Sequence, residues 1–197
     1  MMIPNTLQAV LAQSGGIITT AKANELGISN ERLRLMVSAG LLERVAFGIY
    51  ARPDEFIDEM YIAQLRRKKI IYSHETALHL HDLTDRDPLT YSVTVPSGYN
   101  TSRLQEDGFK VYTIKRELIS IGVTQRPTIF GNTVTVYNLE RTICDCLRSR
   151  SQMDSAILID AIRRYVKRSD KDLSELMKMA ELFRVDKLLR SYLEILL

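Results

Sequence analysis

The chain has 197 residues, 45% of them hydrophobic and 26% charged, with a net charge of +3. This is a globular composition, long enough for a small module plus one ordinary domain, and its charge is compatible with nucleic acid without demanding it. No apolar run approaches the ~20 residues of a membrane span, and the start, MMIPNTLQAVLAQSGG, lacks the basic head and long apolar core of a secretory signal.

In chain order, Leu7, Val10 and Leu11 lie at i, i+3 and i+4 and predict a first amphipathic helix. Ile17-Ile18 is a short β-branched run. Thr19 or Thr20 then offers a hydroxyl to cap a helix over 21–26, which Gly27 ends. Ile28 is expected to be buried at the turn. Ser29 caps a second helix over 30–39, stopped by Gly40. Residues 41–45 and 48–50 are expected to pair as a small hairpin with Phe47 and Gly48 near its turn. Helix, short glycine turn, helix and hairpin make the grammar of a winged helix-turn-helix, expected over 1–52.

At about 100° per residue, the second helix puts Leu33, Met36 and Val37 on one side and Glu31, Arg34 and Ser38 on the other, with Asn30 and Leu35 at the margins. The second side is free to enter a major groove. Arg34 can bond guanine and Asn30 adenine, each through two hydrogen bonds. Arg32, off that face, suits a phosphate, as do Arg44 and Arg52 flanking the hairpin. Glu31 can accept from cytosine, or simply sit where the helix dipole favours an acid. Thr20 and Ser29, at the helix starts, complete the candidate DNA-facing set. The balance is mildly basic: Lys22, Arg32, Arg34, Arg44 and Arg52 against Glu25, Glu31 and Glu43. Winged helices also serve as protein-contact modules; the basic reading face favours DNA.

Pro53-Asp54 reads as a hinge into a second part over 53–197. Asp54 is expected to cap a helix running to about Lys69, with Phe56, Met60 and Ala63 as its buried stripe. Acids at its start and Arg66 to Lys69 at its end complement the helix dipole. A short strand over 70–72 precedes a helix over 74–83 capped by Ser73. Alternation then predicts strands at Tyr91, Val93 and Val95 and at Phe109, Val111 and Thr113, and a hairpin within 128–137 turning at Gly131-Asn132. Helices follow over 139–147, 153–166, 173–183 and 187–196, with Asp170 and Asp186 as caps for the last two. The second part is therefore α+β, with strands in the middle and a helical carboxyl end.

Its chemistry is quiet. His74, His79 and His81 lack the i, i+4 spacing of a helical zinc site, so no metal is expected. Asp85-Arg86-Asp87, followed by Pro88, reads as a polar turn rather than a magnesium-holding DxD. No phosphate-binding glycine loop or serine elbow occurs, so neither a cofactor nor enzymatic activity is expected. Cys144 and Cys146, two apart on a helix, diverge too far for a disulfide, and the cytoplasm is the simplest compartment. Arg163, Arg164, Lys167 and Arg168 form a basic cluster near a helix end, suited to DNA or an acidic partner and equally to plain solvation.

Three phrases carry a resemblance: GIITTAKANELGIS…LRLMVSAGLLERVAFGIYA, YSHETALHLHDLTDRDPLTYSVTVPSG and VYNLERTICDCLR. Together they resemble the AbiEi family, the antitoxins of AbiE abortive-infection toxin–antitoxin systems acting in phage defence. The resemblance implies a winged-helix domain that represses its own operon and a carboxyl-terminal domain that neutralises a nucleotidyltransferase-like toxin, without need of a stable complex. His74, Arg141, Arg163 and Arg164 are the candidate surface of that domain. The expected partners are promoter DNA, with inverted repeats read by a chain that is monomeric or pairs on DNA, and the toxin. An alternative is a ligand-responsive regulator with no toxin, sensing a small molecule near His74 and Tyr91.

Overall fold

The computed structural model of the chain describes residues 2–196; Met1 and Leu197, the outer limits of the two expected domains, lie outside them. The chain forms two compact units: Met1–Lys68 with Pro127–Val134, and Lys69–Arg126 with Thr135–Leu197. The first continues past Arg52 through the next helix and takes back a short distant segment.

In the first unit, α1 (Asn5–Gln13), β1 (Ile17–Thr19), α2 (Thr20–Glu25), α3 (Asn30–Ser38), β2 (Glu43–Ala46), β3 (Ile49–Ala51) and α4 (Glu59–Arg66) follow in order. The strands pair antiparallel with β3 in the centre, Ile17 opposite Ala51 and Arg44 opposite Tyr50. The two neighbouring isoleucines of β1 go to different clusters, as alternation along a strand requires. Ile18 joins Leu7, Leu11, Ala23, Ile28, Leu33, Met36 and Leu42, whereas Ile17 joins Ile49, Ala51 and Ile62 of α4.

The start of α4 departs from expectation. Its cap is Asp58, whose Oδ1 accepts the Tyr61 N–H at 3.0 Å, and Asp54 lies in the preceding turn. The other oxygen of Asp58 accepts from Thr128 Oγ1 at 2.5 Å and Asn132 Nδ2 at 2.9 Å. A carboxylate this buried needs such partners, and they fix where the helix begins. Phe56 therefore falls outside the helix and is 84% exposed; the buried residues of α4 are Met60, Ile62 and Ala63.

The second unit contains β4 (Ile71–Tyr72), α5 (His74–Leu80), β5 (Ser92–Pro96), α6 (Ser102–Glu106), β6 (Lys110–Ile114), β7 (Val123–Pro127), β8 (Thr133–Tyr137), α7 (Leu139–Arg148), α8 (Ser155–Lys167), α9 (Leu173–Leu182) and α10 (Asp186–Leu196). The tip of the β7–β8 hairpin is the segment that belongs to the first unit. The five-stranded sheet has the order β6-β5-β4-β8-β7, with β4 antiparallel to β5 and parallel to β8, and β5 parallel to β6. The carboxyl-terminal helices build the main core around Ile143, Leu147, Ile162, Tyr165, Leu176 and Leu189.

Local chemistry adjusts several ends. α5 stops at Leu80, three residues early, and the chain turns through Asp82 at φ 58°. Ser73 precedes α5 without capping it; its oxygen instead accepts from Thr94 Oγ1 at 2.8 Å. α8 is capped by Asp154, so Met153 lies outside it. Asp172 caps α9, taking the Glu175 N–H at 2.8 Å, because Asp170 is engaged by the Arg168 guanidinium. Asp186 is the first residue within α10 rather than a cap before it.

Candidate nucleic-acid interface

The helix-turn-helix is assembled by three hydroxyls. Thr19 caps α2, accepting the Lys22 N–H at 3.1 Å. Ser29 caps α3 in the same way, accepting the Arg32 N–H at 3.2 Å. Thr20 reaches across to the hairpin: its N–H and its hydroxyl both donate to the Gly48 carbonyl, at 2.8 and 3.2 Å. Gly48 holds φ at 69°, a conformation suited to glycine. The wing turn is thus tied to the first residue of α2, and the wing and the helices form one unit.

On α3, Leu33 and Met36 are buried, while Asn30, Glu31, Arg32, Arg34, Leu35 and Ser38 are exposed. The inward face is the one that periodicity predicts, and the outward face brings Asn30, Arg34 and Ser38 together. The distribution of ion pairs sharpens this picture. Lys22 pairs with Glu25 at 2.8 Å and Arg52 with Glu55 at 3.7 Å. Among the described residues, Arg32, Arg34 and Arg44 have no acidic partner. Among the described residues up to Arg52, the side-chain cations without an acidic partner therefore lie on α3 and on the wing. Glu31 occupies the first turn of α3, where the helix dipole favours it.

Placement varies among the expected contact residues. Thr20 and Ser29 spend their hydroxyls on the fold, although the proton of Ser29 remains free to donate outward. Arg52 is half-buried and partnered, so of the two arginines flanking the hairpin Arg44 is the more available. Two apolar residues join the exposed face: Leu35, 50% exposed on α3, and Phe47, 90% exposed in the wing turn. Periodicity leaves Leu35 at a margin, and turn grammar accounts for Gly48 but gives no reason for a phenylalanine beside it.

In the second unit the expected surface is corrected at two positions. His74 is buried, with Nδ1 2.9 Å from Ser73 Oγ, Nε2 3.1 Å from Ser149 Oγ, and its ring stacked on Tyr112 at 3.4 Å. Burial, and then the charges of Lys110, Arg148 and Arg141, hold its pKa well below the usual histidine value. Arg141 has no exposed surface. Its Nε donates to Asp145 at 2.8 Å, its Nη1 to the Leu118 and Ile121 carbonyls at 3.0 Å each, and its guanidinium lies between Tyr137 and Phe183. The i, i+4 spacing of Arg141 and Asp145 allows both charges to enter the core together. Neither residue is available to a partner.

Arg163 and Lys167 are exposed, but Arg164 is clamped by Asp85 and Asp160, and Arg168 by Asp170. Asp85, Arg86 and Asp87 face Arg164, Arg86's partner Asp154, and His79 respectively, which makes 85–87 a turn laced by ion pairs. The two cysteines are free and buried, and burial pushes the Cys144 thiol up to about 12. Among the described residues no group of three or more side chains suits a metal ion, and no helix is long and apolar enough to cross a membrane.

Comparisons with known proteins place this geometry. Residues 5–53 match the family described as "Transcriptional regulator, AbiEi antitoxin", so the expected resemblance holds over the winged helix. The amino-terminal segment is thus similar to a regulator domain of antitoxin type, and it lies within an α+β chain. The fold is similar to that of the RV2827C protein from Mycobacterium tuberculosis, with a TM-score of 0.58 and 13% identity, covering 91% of this chain and 72% of that one. At that identity the likeness concerns fold alone. A search of curated proteins found no match.

Proposed function

We propose that the protein is a DNA-binding antitoxin that represses its own operon through the first unit and opposes a nucleotidyltransferase-like toxin through the second. The observation that carries the DNA half is the set of cations without an acidic partner among the described residues: Arg34 on the outward face of α3, Arg32 exposed beside that face, and Arg44 on the wing tied to the helices. A neutral or paired surface would suit a protein-contact module; unpaired cations beside an exposed amide suit phosphates and base edges. Asn30 and Arg34 share the outward face at i, i+4, the placement needed to read neighbouring base pairs from one groove. The toxin half rests on the regulator-domain match and on the three phrases along the chain. We place the protein in the cytoplasm.

The test is a gel shift on the DNA immediately upstream of the gene, across a salt series. The intact chain should bind with an affinity that falls steeply with salt. Arg34→Ala should cost ~1–3 kcal/mol on the operator and relax preference at one base position. Arg44→Ala should weaken all sequences alike and flatten the salt slope. No binding at low salt overturns the repressor.

A second reading has one observation in its favour. A cleft of about 310 Å³ in the second unit is lined in part by Glu75, Thr84, Arg86, Ser92 and Lys110, a size at the lower end of ligand sites. It supports a ligand-responsive regulator with no toxin. Growth rescue on co-expression with an adjacent nucleotidyltransferase-like gene favours the antitoxin. Release of operator DNA by a small-molecule cell extract, with no such gene adjacent, favours the second reading.

A further inference from the structure

The wing carries a side chain that the fold does not need. Phe47 sits in the β2–β3 turn, 90% exposed, and belongs to neither of the two buried clusters described above for its unit. Turns of this kind favour small or polar residues, and a phenylalanine there gains nothing from burial. The turn that carries it is nevertheless tied to the helices. The neighbouring Gly48 carbonyl takes two hydrogen bonds from Thr20, and the register of β2 shifts between Arg44 and Ala46, so the strand leading into the turn is irregular. The Arg44 guanidinium lies 5.3 Å from the centre of the Phe47 ring, within the range of a cation–π contact. An apolar plate is thus presented outward beside a positive charge that no acid of the described residues neutralises.

That pairing fits one partner better than others. A protein surface meeting Phe47 would have to accommodate the unpaired Arg44 beside it. The minor groove of DNA offers both complements at once: base faces between which an apolar side chain can wedge, and phosphates along its rim. With α3 in the major groove, a hairpin tied to α2 on the same unit is suited to reach the adjoining minor groove.

Resting on the DNA reading above, we propose that Phe47 is a wedge. The wing inserts its ring at a base step in the minor groove while Arg44 lies along the phosphates, so that the protein bends its operator. The preferred step is a pyrimidine–purine one, which unstacks most easily. Leu35 stays on the major-groove side, where an apolar side chain meets thymine methyl groups.

The test uses the full chain and the DNA upstream of its gene, with the site moved along fragments of constant length so that gel mobility reports bending. 2-Aminopurine placed at successive steps reports unstacking. The wild type should bend the DNA and brighten one probe position. Phe47→Ala should abolish both signals and weaken binding by roughly 5- to 100-fold, and Phe47→Leu should retain part of the bend. Because Phe47 is exposed, both variants should melt as the wild type does. Failure of the wild type to bind overturns the DNA reading and the wedge together. Binding by Phe47→Ala with unchanged affinity and bend overturns the wedge alone. So does weakened binding by Phe47→Ala with an unchanged bend, or loss of toxin rescue with DNA binding intact, since each marks Phe47 as another kind of contact.

Discussion

His74 stands out in the sequence as a candidate surface residue, and the fold puts it in the interior. Three histidines close together invite a search for chemistry, and His74 lies in one of the phrases that carry the family resemblance. Its ring is instead a packed part of the core, held between Ser73 and Ser149 and against Tyr112. The same burial gives it a consequence in solution. A histidine whose pKa is lowered by folding is neutral in the native chain, while the unfolded chain takes up its proton near pH 6.5. The unfolded state therefore binds more protons as pH falls below that value. The stability His74 contributes is full above about pH 6.5 and declines as the solution is acidified toward the native pKa. His81, lowered mainly by burial and donating Nε2–H to the Tyr137 carbonyl at 2.7 Å, acts in the same direction. Urea unfolding at a series of pH values from 7.5 to about 5 should show falling stability. His74→Gln should have a shallower slope even if its absolute stability is lower. An identical slope would mean that His74 is not buried as a neutral base. Comparing slopes between the two proteins cancels the other titrating groups.

At the scale of elements, the parts legible in the sequence are those whose signals are local. Ser29 followed by an apolar repeat marks α3, alternation marks β5 and β6, and Gly131-Asn132 marks the β7–β8 turn, where the Thr128 N–H donates to the Asn132 carbonyl at 2.8 Å. The same locality explains the candidate site: Asn30, Arg34 and Ser38 can be read off one helix by its period. What could not be read are positions decided by distant residues. Asp54 and Asp58 are equally good caps in sequence, and the choice is made by Thr128 and Asn132, some seventy residues away. Gly122 is similar: a Cβ there would lie 2.7 Å from Arg141 Cβ, a restriction set by how the buried arginine is seated. Asp58 allows a sharp expectation. Asp58→Ala removes the cap of α4 and leaves two buried donors, Thr128 Oγ1 and Asn132 Nδ2, without their acceptor. The combined cost should be ~2–4 kcal/mol. Asp58→Asn, which keeps an oxygen for one of these roles, should cost less, and Asp54→Ala almost nothing. Denaturant midpoints rank the three, and equal effects of Asp54→Ala and Asp58→Ala would contradict the assignment.

For the molecule as a whole, the division into units changes how the two proposed functions can be separated. A cut at Arg52 and Pro53 looks natural in sequence, but the first unit runs on through α4 and recovers Pro127–Val134 from the middle of the chain. A fragment ending at Arg52 would lack Asp58 and its partners, and one beginning at Pro53 would carry α4 without the strands that bury Ile62. Failure of either fragment would then report misfolding rather than loss of function. A single exposed substitution in the full chain avoids this. Arg34 packs against nothing in the described core and pairs with no acid, so Arg34→Ala should fold and melt like the wild type. If reading DNA and opposing the toxin belong to different units, Arg34→Ala should relieve repression of a promoter reporter while still rescuing growth on co-expression with the adjacent toxin gene. The converse variant is Arg163→Glu, which reverses an exposed charge of the second unit. It should leave the reporter repressed, and a drop in rescue would locate the neutralising surface on α8. Loss of rescue in Arg34→Ala at normal protein level would show instead that toxin neutralisation proceeds through the DNA-reading face, with one surface serving both functions.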